Sequence, residues 1–169
     1  MLKSILKFIG WVPKEERNGA EIDFNNAWEF ESISKKNEFL SWLIQYVPNN
    51  SIWSIEGLYN KELFRIIRHY LTDDGLQVQR GTVWPRPKYC KVLLNEESKN
   101  TILKNINKWN LDVDIIHQHI YYQKDIYLTS YDNLTCVWLT KIIDQSELDK
   151  LEEEGIIVYE KDTEHVGRL

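Results

Sequence analysis

Residues 113–141 read VDIIHQHIYYQKDIYLTSYDNLTCVWLTK, and this stretch predicts the fold more clearly than any other part of the chain. It is rich in β-branched and aromatic residues, which are enriched in strands, and it contains neither glycine nor proline. Two short polar interruptions, at 123–125 and 132–133, divide it into three runs of strand length. We therefore predict three consecutive antiparallel strands joined by tight turns, which form the centre of a sheet on which helices pack.

Outside this meander, the helical spacing of apolar residues predicts four helices, at 34–46, 60–71, 98–109 and 146–154. Ser34 and Asn60 are predicted N-caps, and Ser146 with Asp149 has the spacing of a capping box. Apolar residues within 2–9 also have helical spacing. We interpret them as a helix that packs on its own domain, and the alternative is a helix that docks on a membrane surface or a partner.

Further strands are predicted at 28–33, 51–57, 88–94 and 156–160. Two prolines leave the stretch 76–87 ambiguous, because proline disrupts a central strand. The early alternation of strands and helices permits some parallel pairs beside the antiparallel meander. We expect one α+β domain across 1–169, with a mixed or antiparallel β-sheet and about four packed helices. Residues 1–25 are expected to be peripheral and 161–169 to form a frayed tail.

Composition and charge argue against several classes of function. The net charge of −5 disfavours direct binding of nucleic acid, which requires a basic surface. No apolar stretch is long enough to span a membrane, and the first residues lack the cleavage pattern of a signal peptide. Cys90 and Cys136 lie far apart in sequence and imply no disulfide framework. We therefore expect a cytoplasmic protein that does not bind a membrane and requires no cofactor.

The segment 144–164 is the acidic pole of the chain, with nine acidic residues and two lysines. Its last predicted helical turn contains Glu152, Glu153 and Glu154, where negative charge opposes the helix dipole, and Asp149 lies one turn earlier. A solvated helix face is the simpler interpretation. The alternative is a docking surface for a basic protein, whose charge would relieve the repulsion among these carboxylates.

His117 and His119 alternate along a predicted strand and therefore project from one face of the sheet. Two histidines at this spacing suit a metal ion, but no third ligand follows nearby, and we interpret them as residues of a partly solvated face. Glu56 lies near the end of another predicted strand, where we expect it to face solvent or to pair with a lysine. No catalytic residue and no metal site is predicted; the alternative is a small hydrolase or metal-dependent enzyme that uses these three residues.

Tryptophan and tyrosine are abundant, with seven and nine copies, and both residue types are enriched at protein interfaces. Tryptophan occurs in the stretches SIWSIEG (51–57) and GTVWP (81–85). In its α+β plan, in these two stretches and in the acidic segment 144–164, the chain resembles the immunity proteins of bacterial polymorphic toxins. That class includes the immunity proteins of contact-dependent growth inhibition systems.

The resemblance implies a non-catalytic, stoichiometric inhibitor that binds a cognate toxin domain, often a basic nuclease, and blocks its active site or substrate entry. The first candidates for partner contact are acidic: Asp149, Glu152, Glu153 and Glu154. Exposed aromatic residues of the meander, such as Tyr122 and Tyr127, are the next candidates. A free sheet edge would in addition accept a strand of the toxin.

Overall fold

A computed structural model describes residues 19–82 and 87–161 of the chain. The helix predicted within 2–9, part of the stretch 81–85 and all but the first residue of the predicted tail lie outside these residues. The described part contains a seven-stranded sheet and four α-helices. This is the α+β fold that the sequence predicts.

The strands are β1 (Ala27–Ile33), β2 (Ser51–Leu58), β3 (Tyr89–Leu94), β4 (Ile115–Tyr122), β5 (Asp125–Tyr131), β6 (Cys136–Thr140) and β7 (Ile157–Tyr159). Their order in the sheet is β3-β2-β4-β5-β6-β1-β7, and every neighbouring pair is antiparallel. The predicted meander is confirmed as β4, β5 and β6 at the sheet centre. The sequence left a mixed and an antiparallel sheet as alternatives, and the sheet is antiparallel. Three of the four described helices connect strands that are not neighbours in the sheet.

The helices are α1 (Lys36–Tyr46), α2 (Lys61–Ile67), α3 (Glu96–Asn105) and α4 (Gln145–Glu153). All four predicted helices are therefore present. The α-helical parts of α2 and α3 end earlier than predicted, because each continues into a 3-10 turn, Arg68–Tyr70 and Ile106–Lys108. Within the described ranges, no helix has the length and apolar character that crossing a membrane requires.

The residues at which helices begin agree with the prediction only in part. Asn60 caps α2 as predicted, since its side-chain oxygen accepts hydrogen bonds of 2.9 and 3.0 Å from backbone N–H groups of the first turn. Ser34 does not cap α1: the N-cap position is Lys35, whose side chain makes no capping hydrogen bond, and Ser34 lies one residue before it, with its backbone N–H bound to the carbonyl of Ile156. Asp144 caps α4 in place of the predicted Ser146.

The two faces of the sheet are covered differently. All four helices pack on one face, which we call the helix face, and apolar side chains from every helix and every strand form the main core there. The opposite face is covered by two segments without regular structure, 19–23 and 75–82, which we call the cover. These segments meet at a parallel bridge between Ala20 and Val78 and enclose a smaller apolar cluster that includes Ile52 and Tyr121.

Candidate functional site

The four acidic residues predicted for partner contact fall into two pairs with different roles. Asp149 and Glu152 both bind the ammonium group of Lys161, at 3.0 and 2.7 Å from its Nζ. Asp149 also accepts a hydrogen bond of 2.8 Å from the hydroxyl of Tyr159. The hydrogen bond from Lys161, followed by that from Tyr159, lowers the pKa of the Asp149 carboxyl. These two acidic residues therefore hold α4 against the end of β7.

Glu153 and Glu154 are exposed, and neither forms an ion pair with another described residue. The ammonium group of Lys35 donates a hydrogen bond of 3.1 Å to the backbone carbonyl of Glu154 and does not pair with the Glu154 carboxylate. A cation at the carboxyl end of a helix interacts favourably with the helix dipole. This contact offsets part of the electrostatic penalty that the acidic last turn imposes, and it leaves both carboxylates accessible.

The strand that follows these residues, β7, is the last strand of the sheet on this side. The carbonyl of Ile156 accepts a hydrogen bond from the backbone N–H of Ser34, just after β1, and the N–H of Glu160 donates to the carbonyl of Glu29. Because backbone groups alternate in direction along a strand, those of Ile157 and Tyr159 point away from the sheet. Between them, Val158 has 39% of its surface exposed. Strand β7 therefore presents a short edge with one exposed apolar side chain.

Exposed carboxylates surround this edge strand. We call the following set, which precedes, follows or neighbours β7, the acidic edge: Glu29, Glu31, Glu153, Glu154 and Glu160. Within the described part of the chain, none of the five forms an ion pair. Because Lys35 and Lys161 contact other groups nearby, the five carboxylates are left without a direct ion-pair partner among the described residues, which favours a negative potential at this end of the sheet.

The two aromatic residues proposed for partner contact do not form an exposed pair. Tyr127 has 8% of its surface exposed and belongs to the main core, so the prediction of an exposed aromatic residue at this position is wrong. Tyr122 is half-buried and packs against the same core. The most exposed aromatic residues of the described chain lie elsewhere, at Tyr59, Phe64 and Phe24. A strand period tells which residues share a face, but not what covers that face.

Glu56 is buried, with 3% of its surface exposed, so the expectation that it faces solvent or pairs with a lysine is wrong. Its carboxylate lies 3.2 Å from Nε of Arg80 and accepts hydrogen bonds from the backbone N–H groups of Gly81 (2.9 Å) and Thr82 (3.3 Å). A buried carboxylate requires such donors and a cation. Glu56 therefore fixes three consecutive residues of the cover to the sheet.

His117 lies directly opposite Glu56 in the sheet register and is buried. Its Nδ1 accepts a hydrogen bond of 3.1 Å from the backbone N–H of Asp132, so the proton of the neutral ring is on Nε2, which donates to the Thr82 hydroxyl at 2.9 Å. Burial lowers the pKa of His117 despite the opposing charges of Glu56 and Asp132. The cover approaches the ring closely because residue 81 is glycine: a side-chain carbon there would lie 2.4 Å from the ring.

His119 shares this face, as predicted, but the face is not partly solvated there. Burial, followed by the charge of His117, lowers the pKa of His119 to about 4. Its Nε2 has no hydrogen-bond partner among the described residues. Both histidine rings contact the ring of Tyr131 edge-on, with centroids 5.4 and 5.7 Å apart. In residues 19–82 and 87–161, no group of three or more His, Cys, Asp or Glu side chains is arranged to hold a metal ion.

The structure therefore places Glu56, which the sequence could not position, directly opposite His117 in the histidine pair that the sequence predicted. It also adds Arg80 and Thr82, which sequence reasoning missed, because they lie in the ambiguous stretch 76–87 and no local spacing connects them to Glu56. A cavity of about 360 Å³ adjoins Arg80 and His117. Both carboxylate oxygens and both nitrogens of His117 already have partners, so the arrangement is suited to clamp the cover onto the sheet rather than to transfer a proton.

The two cysteines lie in β3 and β6, as predicted, and both are half-buried free thiols. Burial raises the pKa of Cys90 to about 11, which keeps it protonated and unreactive near neutral pH.

Comparison of the chain with models of known protein families, with curated proteins and with solved structures found no match. The geometry described above therefore carries the functional interpretation.

Proposed function

We propose that this chain is a non-catalytic binding protein of the immunity-protein kind, which neutralises a basic, nuclease-like toxin domain by binding it stoichiometrically. The observation that carries the proposal is the acidic edge: five exposed carboxylates around an edge strand of the sheet. A cationic protein surface would be attracted to this end of the molecule and would pair with charges that the fold does not use.

Strand β7 supports the proposal independently of charge. The outward backbone groups of Ile157 and Tyr159 can accept a strand of the partner, a mode of recognition that uses main-chain hydrogen bonds. Val158 supplies one exposed apolar contact beside them. Glu153 and Glu154 contact the partner in this proposal, whereas Asp149 and Glu152 position β7 through Lys161. The net charge of −5 favours such a protein partner over nucleic acid or an anionic membrane, and two free thiols suit a cytoplasmic location.

The test compares three tagged proteins in pull-downs from a bacterial lysate at low and at high salt. They are the wild type, the edge variant Glu153→Lys/Glu154→Lys, and the matched control Asp73→Lys/Asp74→Lys. The control changes the net charge equally but lies in an exposed loop beside β3, at the other end of the sheet. Its two altered side chains make no described ion pair.

We expect the wild type and the control to retain one basic protein near one-to-one, released by salt, and the edge variant to lose it. Equal recovery of that protein by the edge variant at both salt concentrations would refute the acidic-edge mechanism. Recovery of no basic partner by any of the three proteins would refute the proposed function itself.

A second candidate function is a small hydrolase or metal-dependent enzyme that uses Glu56, His117 and His119. The observation that favours it is the cross-strand pairing of Glu56 with His117 beside an open cavity. Metal analysis of the purified protein tests the metal-dependent form. Stoichiometric zinc, manganese, iron or nickel that is lost in His117→Gln would support it, and metal that survives this substitution would place any ion elsewhere.

A further inference from the structure

A second surface feature lies at the other end of the sheet, where β2 ends and β3 begins. It is a groove of about 700 Å³, a size that falls within the range of roughly 300–1,000 Å³ typical of ligand pockets. Apolar and aromatic side chains form most of its described lining: Leu58, Tyr59, Phe64, Pro87, Tyr89 and Cys90. The groove shares no residue with the acidic edge.

The backbone around the groove is held by specific contacts. Gly57 has a φ of 76°, which favours glycine, and the β2–β4 register continues unchanged across it, from Glu56 opposite His117 to Leu58 opposite Ile115. The amide nitrogen of Asn60 donates to the carboxylate of Asp114 at 2.8 Å while the other end of the same side chain caps α2. The described backbone that lines the groove is therefore held in place by contacts within the chain itself.

Two large apolar side chains stand exposed on this fixed backbone. Tyr59 has 65% and Phe64 has 45% of its surface exposed. Adjacent exposed aromatic residues are unfavourable in water and are typical of interaction sites. Because their backbone is already ordered, burying them against a partner costs less conformational entropy than burying flexible residues.

The charge of the groove is opposite to that of the chain as a whole. Lys61 and Lys88 line it, are exposed, and form no ion pair with another described residue. No carboxylate belongs to its described lining. Three acidic groups beside lining residues are already engaged: Glu62 pairs with Arg65 at 3.2 Å, the buried Asp114 binds Asn60, and the buried Glu56 lies 3.2 Å from Arg80.

We propose that this groove binds a segment of a second protein that presents an aromatic or aliphatic side chain flanked by carboxylates. The apolar side chain fills the groove between Tyr59 and Phe64, and the carboxylates pair with Lys61 and Lys88. Apolar burial at the centre with charge pairs at the rim is the usual arrangement of a small interface. This surface is separate from the acidic edge and selects the opposite charge.

The test uses three fluorescently labelled peptides and measures their anisotropy with the full-length protein at low and at high salt. The acidic probe is acetyl-Asp-Glu-Phe-Leu-Asp-Glu-amide, and its counterparts carry lysine or serine in place of every acidic residue. We expect the acidic peptide to bind, the serine peptide to bind about tenfold more weakly, and the lysine peptide not to bind.

Variants then locate the site. Lys61→Glu/Lys88→Glu and Phe64→Ser should each weaken the acidic peptide about tenfold or more, whereas the matched control Lys104→Glu/Lys124→Glu should not. All four lysines and Phe64 are exposed, so circular dichroism should show each variant folded. Absence of binding to the wild type, equal binding of the three peptides, or equal loss in the control would overturn the proposal.

The same variants separate this inference from the proposed function. Glu153→Lys/Glu154→Lys should leave the affinity for the acidic peptide within about twofold, because the acidic edge does not touch the groove. The groove variants should in turn still retain the basic partner in the pull-down. If a groove variant lost both ligands, the two surfaces would not be independent, and the proposal of a second site would be wrong.

Discussion

The two faces of the sheet bury different kinds of side chains and stabilise the protein in different ways. Apolar side chains from all seven strands dominate the helix face, where the indole N–H of Trp53 donates to the buried side chain of Gln118, and regular helices cover this face. The opposite face carries buried polar groups, including Glu56, His117, His119 and Thr129, under a cover without regular structure. Packing of apolar side chains on the helix face depends on complementary shape. A buried polar group beneath the cover is stabilised only when a hydrogen-bond or ion-pair partner lies at the right distance and angle.

This difference separates global from local stability. Strands β4 and β5 contribute to both faces, so loss of packing on the helix face affects the whole sheet. The cover is held by a few hydrogen bonds to Glu56 and His117 together with a small apolar cluster. We therefore expect substitutions beneath the cover to release it before the sheet unfolds, since local opening follows the least stable contacts.

The largest effect is expected on the helix face, from Leu128→Ala. Leu128 is fully buried in the centre of the main core, and removal of its side chain should lower the free energy of unfolding by about 2–5 kcal/mol. Urea denaturation with an unchanged m-value measures this loss. An effect below about 1 kcal/mol would mean that the helix face does not dominate global stability.

A smaller and more local effect is expected from Glu56→Gln beneath the cover. The amide keeps one acceptor but loses the charge that pairs with Arg80, which should cost about 1.5–3 kcal/mol. Amide hydrogen exchange should show lost protection at Gly81 and Thr82 and little change in β5. The matched control Glu96→Gln removes an exposed carboxylate from the first turn of α3; it should lower the free energy of unfolding by no more than about 1 kcal/mol and leave protection at Gly81 and Thr82 unchanged.

The polar face should also make stability depend on pH through His119. Its pKa is about 4 in the folded protein and 6.5 in the unfolded chain, so on acidification the unfolded chain binds a proton first. Stability is therefore fully present above about pH 6.5 and falls toward pH 4, by about 2 kcal/mol between neutral pH and about pH 5. Denaturation curves of His119→Gln should lose this part of the pH dependence. Equal pH dependence in His119→Gln and in the exposed control His69→Gln would contradict the assignment.

The smallest effect is expected from Thr129→Val, which faces His119 across the β4–β5 pair. The Thr129 hydroxyl is fully buried and has no hydrogen-bond partner among the described residues. Its replacement by a methyl group should leave the free energy of unfolding unchanged or raise it by up to about 1 kcal/mol. A loss above about 1 kcal/mol in urea denaturation would show that the hydroxyl is satisfied and that this face is more completely paired than the structure indicates.

The sequence predicted the strands and helices that form the helix face better than it predicted the polar contacts of the opposite face. Runs of β-branched residues and the helical spacing of residues such as Leu43 and Ile102 are local patterns, and the meander and all four helices follow from them. The clamp between Glu56 and Arg80 depends on a tertiary contact between a strand and an irregular segment, which no spacing encodes. Ser34 failed as a cap because α1 begins one residue later than predicted, with Lys35 at the N-cap position.

The sequence shows where the acidic residues are concentrated, but not which of their side chains remain exposed and unpaired. Counting charges identifies the segment 144–164 as acidic. Only the fold shows that Asp149 and Glu152 form ion pairs with Lys161, whereas the side chains of Glu153 and Glu154 remain exposed. Glu29 and Glu31 join them from β1 because β7 pairs with that strand, a neighbour relation that the sequence does not reveal. Exposure of Tyr59 and Phe64 likewise depends on what packs over them.

The most direct test of the central claim is the association rate of the captured basic partner with Glu153→Lys/Glu154→Lys, measured by stopped-flow across a series of salt concentrations. The account predicts that association slows by about tenfold or more at low salt and that the difference from wild type shrinks as salt rises. Asp73→Lys/Asp74→Lys should associate within about twofold of wild type. An edge variant with a wild-type association rate and wild-type salt dependence would show that the acidic edge is not where the partner binds.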